Sequence, residues 1–481
     1  MENNLKGQTI TGVFWSAVER FSLQGVQFVI SIIMARLLAP ADYGVVALLL
    51  VFLQISQIFI DCGFTNSLIQ KNDRDDSDYS TVFYFNLVIS FLFYIILFIC
   101  APYISNFYDL KILSPILRVT AITLVINSLC TVHKTRFTIE INFKSQSKIS
   151  LLAATVSGIV GIILAYNGSG VWSLVYQSIV NSIITTFLYY YFSRWYPCKR
   201  FSFISFKKLF SFGSNLMLSS LLHRIYYNLY SLVIGKQFSP ADLGYFNKAE
   251  QLAIFPSNNI NSIISRVAFP ILSKIQDDNT RLASAYRQYI KYTSLIIFPL
   301  MTGLAALAAP VIEIMLTDKW IKAVPLLQIL CLDWMFDHIC LINANVLYVK
   351  GRSDIVLRLE IIKKGIATLI LFLSIPFGII GICWGKVLYS LIATYLNTIY
   401  TRKFIGLSFT TQMKDIIPIL CISLFMASSV FILNNFINNS IIHIILGIML
   451  GAFVYICLIF IFQKKMVLEL FNLFKKYRCG F

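Results

Sequence analysis

The stretch that decides the fold is LAPADYG at residues 38–44, which returns 200 positions later as FSPADLG at residues 238–244. Each copy joins two long apolar segments. The segment before each copy carries an arginine, and the segment after it carries amides. One structural unit is therefore present twice in the chain. Among membrane proteins, two homologous halves are typical of transporters whose substrate site lies between the halves.

The motif also has a local structural meaning. Proline is favoured in the first turn of a helix, and an aspartate two residues later is stabilised by the positive end of the helix dipole. Pro40 and Asp42 fit this pattern in the first copy, and Ser239 is expected to cap the helix in the second copy. The motif thus predicts a tight outer turn into the second helix of each half.

Composition places the chain among polytopic membrane proteins. Hydrophobic residues make up 58% of the chain and charged residues 13%, and the mean hydropathy is +0.75, which is outside the range of soluble proteins. Apolar stretches of roughly 20 residues can cross a bilayer, and we count about fourteen of them. They lie near 12–35, 44–63, 80–105, 113–133, 148–166, 170–192, 209–234, 243–272, 288–317, 323–348, 355–376, 378–400, 415–434 and 440–462.

The distribution of Lys and Arg predicts the orientation, because these residues are retained in cytoplasmic loops. With the N- and C-termini in the cytoplasm, the basic segments 134–148, 194–208, 350–364, 402–414 and 464–478 all fall inside. Scattered in this way, the basic residues form no continuous patch, so no nucleic-acid partner is expected despite the net charge of +18. We predict two six-helix lobes, 1–208 and 209–414, followed by 415–481, which holds two extra spans and a basic amphipathic tail on the inner leaflet.

The sequence offers no sign of catalysis. No segment between predicted spans exceeds about twenty residues, which is too short for a folded domain outside the membrane. The cysteines form no Cys-x-x-Cys pair and no cluster with histidine, and no nucleophile or phosphate-loop motif is present. We therefore expect a protein that is not an enzyme, with no cofactor and no metal site.

Polar residues inside the spans indicate a binding cavity, because each costs a few kcal/mol at mid-bilayer unless it faces water or a partner. Guanidinium groups bind phosphate oxygens bidentately and amides pair with sugar hydroxyls, so a basic cavity lined by amides suits a sugar diphosphate. The alternative is internal pairing that only fixes helix packing. Glu19 could neutralise Arg20 or Arg224, and Glu250 could neutralise Lys248 or Arg266. The predicted cavity residues are Arg20, Gln24, Gln27, Asp61, Arg118, Arg224, Asn228 and Arg266.

Two carboxylates in the tenth predicted span form a separate candidate site. Asp333 and Asp337 lie four residues apart, with His338 adjacent. If they are buried together, one of them could bind and release a proton, or the pair could hold sodium, which predicts a site for ion coupling. The alternative is that both face water or basic partners near the outer surface.

Two runs of this sequence resemble the polysaccharide-transporter family. The runs are 15–44, from WSAVERF to ARLLAPADYG, and 265–276, SRVAFPILSKIQ, and the resemblance extends over essentially the whole chain. This family belongs to the multidrug, oligosaccharidyl-lipid and polysaccharide flippase superfamily. The resemblance implies transport of an undecaprenyl-diphosphate-linked sugar unit across the bacterial inner membrane by alternating access, for O-antigen, capsule or exopolysaccharide export. It also implies membrane lipids, a polysaccharide polymerase and glycosyltransferases as partners.

Three other functions remain open at this point. A cation-coupled multidrug efflux pump of the same superfamily would need an acidic cavity, whereas arginines lie in the first and seventh spans. A flippase for peptidoglycan precursors would have a cavity much like the predicted one. A membrane polymerase or ligase would need catalytic groups on a large outer loop, and the predicted outer loops have about ten residues or fewer.

Overall fold

The computed structural model describes residues 22–433, 436–437 and 439–464, apart from the side chains of 263–267, 269–271 and 353. Every regular element in these residues is helical, which confirms the predicted all-α class. The chain forms two compact units, one ending at Gly244 and the other beginning at Tyr245. The predicted amphipathic tail beyond Lys464 lies outside the described residues.

The first unit consists of helices that alternate with short turns. In chain order they are α1 (Ser22–Leu37), α2 (Pro40–Asp61), α3 (Phe64–Gln70), α4 (Asp76–Phe107), α5 (Leu113–Thr120), α6 (Ile122–Ile139), α7 (Phe143–Tyr166), α8 (Val171–Ser193) and α9 (Phe203–Gln237). One part of its core is an apolar cluster that joins four of these helices, through Phe64 of α3, Phe83 of α4, Val132 of α6 and Leu209 of α9.

The second unit continues in the same way. Its helices are α10 (Pro240–Ser273), whose first residues up to Gly244 belong to the first unit, α11 (Asn279–Ala306), α12 (Ala308–Leu316), α13 (Ala323–Trp334), α14 (Asp337–Val349), α15 (Ser353–Ser374), α16 (Gly378–Ile405), α17 (Phe409–Ile432) and α18 (Ser440–Phe462). Short 3₁₀ turns lie at Asp318–Trp320 and Ile375–Phe377. Tyr286, Phe298 and Trp320 are among its fully buried side chains.

The helices match the predicted membrane spans. Ten stretches of described helix are long and apolar enough to cross a membrane, and one of them, Asp354–Ile405, contains most of α15 and all of α16. The first, seventh and eighth predicted spans fall on α1, α9 and α10. A polytopic membrane fold is therefore confirmed, whereas the count of fourteen crossings and the cytoplasmic location of both termini stay predictions.

Both copies of the repeated motif begin a helix, as predicted. In the first copy Ala39 has extended backbone before Pro40, and its N–H donates to the Asp42 carboxylate at 3.0 Å. In the second copy the backbone N–H of Asp242 donates to the Ser239 hydroxyl at 3.1 Å, which is the expected side-chain cap. The aspartate of each copy lies in the first turn, where it is stabilised by the helix dipole.

The two copies also cross each other at very close range. A Cβ atom added to Gly44 would overlap the backbone carbonyl of Pro240, and one added to Gly244 would overlap the backbone carbonyl of Pro40. The contact is reciprocal, with each copy supplying the glycine that accommodates the carbonyl of the other. Only glycine permits this approach, because a backbone carbonyl cannot rotate out of the way as a side chain can.

Helices α2 and α9 pack antiparallel over most of their length. Gly63, just after α2, approaches Gly213 so closely that a Cβ on either would overlap the backbone of the other segment. Near the opposite end, a Cβ on Gly235 would overlap the side chain of Leu48. The first unit therefore includes α9, which the repeat assigns to the second predicted lobe, 209–414. The division into lobes stays a prediction from the repeat.

Candidate functional site

One predicted cavity residue, Asn228, belongs to an amide pair between α2 and α9. The side-chain amide of Asn228 donates to the Gln54 side-chain oxygen at 3.1 Å and to the backbone carbonyl of Arg224 at 2.9 Å. Asn228 is buried, with 7% of its surface exposed. The pair forms because α2 and α9 are antiparallel and hold these two residues at the same depth.

Arg224 lies one helical turn before Asn228 and has no hydrogen-bond or ion-pair partner for its guanidinium within residues 22–464 as described. Its side chain is half-buried. Arg224 is 13 residues before Gln237, where α9 ends, so it lies about 20 Å from that end at the helical rise of 1.5 Å per residue. The described residues thus supply no neutralising partner for this cation, which lies in the seventh predicted span.

The other predicted cavity residues of the first unit have separate surroundings. Asp61, at the end of α2, accepts a hydrogen bond from the Thr65 hydroxyl at 2.5 Å. Arg118, on α5, donates from Nε to the backbone carbonyl of Phe98 at 3.1 Å, and its guanidinium lies 4.5 Å from the centre of the Phe98 ring. Neither is hydrogen-bonded to the pair of Gln54 and Asn228, so the described contacts do not bring these residues into one cluster.

On α1, Gln24 is half-buried and Gln27 is exposed, and neither amide has a hydrogen-bond partner in the described part of the chain. Arg20 and the side chain of Arg266 lie outside the described residues. The assignment of all eight residues to a substrate cavity therefore stays a prediction. Gln54 was not among the eight predicted residues. Its spacing of seven residues from Asp61 places both on one face of α2, and this spacing was the available sequence signal.

In the second unit, the tenth predicted span is broken at the carboxylates. Helix α13 ends at Trp334 and α14 begins at Asp337, so Asp333 and Asp337 lie on opposite sides of the break. Side chains from neighbouring helices bind the carbonyls at the break. The Ser390 hydroxyl donates to the Asp333 carbonyl and the Ser257 hydroxyl to the Trp334 carbonyl, both at 3.1 Å. Irregular backbone is tolerated inside a membrane protein when it is satisfied in this way.

A lysine that sequence reasoning missed lies between two carboxylates at this break. The ammonium of Lys386, on α16, forms ion pairs with Glu250 of α10 and with Asp333, the latter at 3.5 Å. A single lysine within the apolar stretch GICWGKVLYS was the available signal, because a lone cation inside a span calls for an anionic partner. Glu250 thus pairs with Lys386, a partner that the sequence did not suggest.

Asp337 has a different environment. It accepts a hydrogen bond from the Asn261 amide at 3.2 Å. The adjacent His338 is fully buried and shares a hydrogen bond of 2.8 Å with Ser294 on α11. Across the described residues, no group of three or more His, Cys, Asp or Glu side chains is arranged to hold a metal ion.

Comparisons with known proteins agree with these features. The profile of a family described as polysaccharide biosynthesis protein matches residues 33–325. The lipopolysaccharide biosynthesis protein WzxC of Escherichia coli strain K12 is 25% identical over 82% of this chain and 81% of its own length. The succinoglycan biosynthesis transport protein ExoT of Rhizobium meliloti strain 1021 is 24% identical over 98% of this chain and 97% of its own.

A solved structure has a similar fold. The lipid II flippase MurJ, in an inward closed conformation, superimposes with a TM-score of 0.73 at 16% identity, covering 94% of this chain and 99% of its own. A transport protein and a flippase among these matches agree with the expectation that the chain is a transporter and not an enzyme. They also support its location as a multi-pass protein of a bacterial membrane.

Proposed function

Because the chain belongs to the polysaccharide biosynthesis protein family, we propose that it is a flippase for a lipid-linked oligosaccharide. Its substrate is an oligosaccharide repeat unit on undecaprenyl diphosphate, which it moves from the cytoplasmic to the outer leaflet of the bacterial inner membrane. The product serves O-antigen, capsule or exopolysaccharide export. Glycosyltransferases that assemble the unit and a polymerase that joins the units are the expected partners, together with membrane lipids.

The observation that carries this proposal is the guanidinium of Arg224, which has no partner among the described residues, beside the amide pair of Gln54 and Asn228. A lone arginine within the membrane is costly, and its free energy falls when an anion binds. The diphosphate of the carrier lipid supplies such an anion in a geometry that the guanidinium matches bidentately. Amides nearby offer both donors and acceptors to sugar hydroxyls.

Alternating access requires a contact that closes the outer side and can open. The reciprocal crossing of Gly44 and Gly244 is the candidate for that contact, because the repeated motif begins the second helix of each predicted lobe at the outer surface. A second contact of this kind is the ion pair of 3.2 Å between the Lys236 ammonium and Asp109. Both contacts join elements of different predicted lobes, so both must break when the outer side opens.

The test measures on which side of the membrane the lipid-linked sugar lies. Cells with and without the protein are given labelled sugar, and an impermeant probe then reports outward-facing glycan on spheroplasts. A flippase requires cytoplasmic accumulation when the protein is absent, and the trapped glycan identifies the substrate. Normal outward exposure with altered polymer length would favour a polymerase or ligase, and altered drug resistance would favour an efflux pump.

Arg224→Ala is the variant that tests the role of the guanidinium. Transport should be abolished at near-normal protein abundance, and Arg224→Gln should not restore it because the charge is still missing. Arg358→Ala is the matched control, since Arg358 is an exposed arginine at the start of another span. Normal transport by Arg224→Ala would show that this arginine contributes only to packing.

A further inference from the structure

The most informative group outside the predicted cavity is the set of Glu250, Asp333 and Lys386, named here the carboxylate–lysine centre. Its members come from three helices, α10, α13 and α16. The side chains of Asp333 and Lys386 are each 11% exposed and that of Glu250 is 21% exposed. The centre is therefore an ion cluster within the membrane-spanning part of the second unit.

Carboxylates and aromatic rings surround the Lys386 ammonium. Two carboxylates contact it, and the rings of Phe246 and Trp334 have their centres 5.5 and 5.7 Å from Nζ, within the range of cation–π attraction. The nearby backbone carbonyls of Asp333 and Trp334 accept hydrogen bonds from serine hydroxyls. A metal cation such as sodium needs several oxygen ligands at once, and here one oxygen of each carboxylate already contacts the ammonium and two nearby carbonyl oxygens already accept a hydroxyl.

The charges of the centre do not cancel. Two carboxylates and one ammonium leave one net negative charge when all three groups are ionised. A net charge held in a membrane interior is unfavourable, and it is relieved when a cation is taken up. The smallest available cation is a proton, which needs no coordination shell because it binds directly to a carboxylate oxygen.

Further charged and titratable groups lie on the elements that carry the centre or pack against it. Asp337, on α14, adds a further carboxylate and is bound by Asn261. Lys363, on α15, acts electrostatically on Asp337 and forms an ion pair with Glu360 of its own helix. Further titratable groups on these elements include His338 of α14, which bonds to Ser294 of α11, and the buried Lys248 of α10, Cys331 of α13 and Cys383 of α16.

We infer that the ammonium of Lys386 occupies the place that a coupling metal ion would take between Glu250 and Asp333, so that this centre takes up a proton but excludes sodium. The proton binds to the Glu250 or Asp333 carboxylate and leaves the other carboxylate paired with Lys386. Its uptake therefore weakens one of the two ion pairs by which Lys386 of α16 contacts α10 and α13. A role of this weakened ion pair in transport rests on the proposed function. The preference of the centre for a proton over sodium does not.

The first measurement uses the purified wild-type protein in lipid nanodiscs. Its melting temperature is recorded in sodium chloride and in choline chloride at equal ionic strength. No sodium-specific shift is expected, and a saturable rise in melting temperature with sodium would overturn the inference. This measurement needs no variant, so it stays decisive even if a change in the centre impairs folding.

The second measurement uses Lys386→Gln, which removes the ammonium but keeps polar atoms of similar reach. Two carboxylates then share an open cation position, and sodium should raise the melting temperature of this variant in a saturable manner. Arg358→Gln is the control, because it also removes one positive charge but lies on the exposed face of α15. Equal responses of Lys386→Gln and Arg358→Gln to sodium would contradict the role given to Lys386.

The third measurement tests the proton. The melting temperature of the wild type should rise as pH falls from alkaline to mildly acidic values, because a proton neutralises the residual charge. Glu250→Gln removes one carboxylate charge at every pH, as a bound proton would. The rise in melting temperature at lower pH should therefore become smaller. An unchanged pH profile in Glu250→Gln would refute proton uptake at the centre. These readouts are binding measurements, so their failure is distinguishable from failure of the flippase proposal, which the glycan sidedness assay tests.

Discussion

Replacement of Gly44 by alanine is the sharpest test of the crossing between the two motif copies, which we propose closes the outer side. The added methyl group would overlap the backbone carbonyl of Pro240, which cannot move without shifting α10 itself. Overpacking of a tight contact costs about 1–3 kcal/mol. The gain in helix propensity is the same in the closed and open states, so only the clash changes their balance. The closed state should lose a factor of about 5–150 in population.

The assay reports access from the outside. Gln57→Cys, on α2, is introduced into a cysteine-free background and labelled with an impermeant thiol reagent added to intact spheroplasts. Gly44→Ala should raise the labelling rate and reduce glycan transport, since the outer side no longer closes tightly. Gly365→Ala is the matched control, because a Cβ at that helical position meets no atom within 4 Å.

The reciprocity of the crossing gives a further check on the same reasoning. Gly244→Ala should have the same effect as Gly44→Ala, since its methyl group would overlap the Pro40 carbonyl. The double variant should cost less than the sum of the two, because the first methyl group already separates the helices that the second would push apart. Wild-type labelling and transport in both single variants would refute the role of this contact in closure.

Three other changes have defined outcomes. Asn228→Leu leaves the Gln54 amide without its partner within the membrane, and the melting temperature should fall by an amount equivalent to about 1 kcal/mol. Asn at both Asp333 and Asp337 should remove the dependence of transport on an ion gradient, and unchanged dependence in energised vesicles would reject ion coupling at these residues. Ser239→Ala should lower stability by about 1 kcal/mol at most, measured by thermal melting, since the other copy of the motif already functions with alanine at this position.

Hydropathy and turn chemistry were sufficient to predict where the helices lie, because both are local properties. The starts of α2 and α10 follow from proline, aspartate and the capping residue, and the structure has them as predicted. The break between α13 and α14 was not predicted, since the stretch around Met335 and Phe336 contains no proline or glycine. That break depends on hydroxyls from distant helices, which a local pattern does not contain.

Pairings between residues that are far apart in the sequence could not be predicted either. The sequence identified Glu250 and Asp333 as buried charges but not Lys386 as their shared partner, because these residues are separated by 136 and 53 positions. The pairing of Gln54 with Asn228 was hidden for the same reason, although each residue lies on a stripe that periodicity reveals. A helical pattern predicts which side chains share a face. It does not predict which helix that face meets.

The duplication explains the geometry of the outer crossing, but the two repeats have acquired different chemistry. The crossing is symmetric, since each copy of the motif supplies one glycine and one proline carbonyl. Beyond it, α2 continues with amides that pair with α9, whereas α10 continues to Glu250 and the carboxylate–lysine centre. A lipid-linked diphosphate is an anion and a proton is a cation, so one protein that binds both needs two sites of opposite charge. The proposals above assign these two sites to the diverged repeats, whose second helices begin side by side at the crossing.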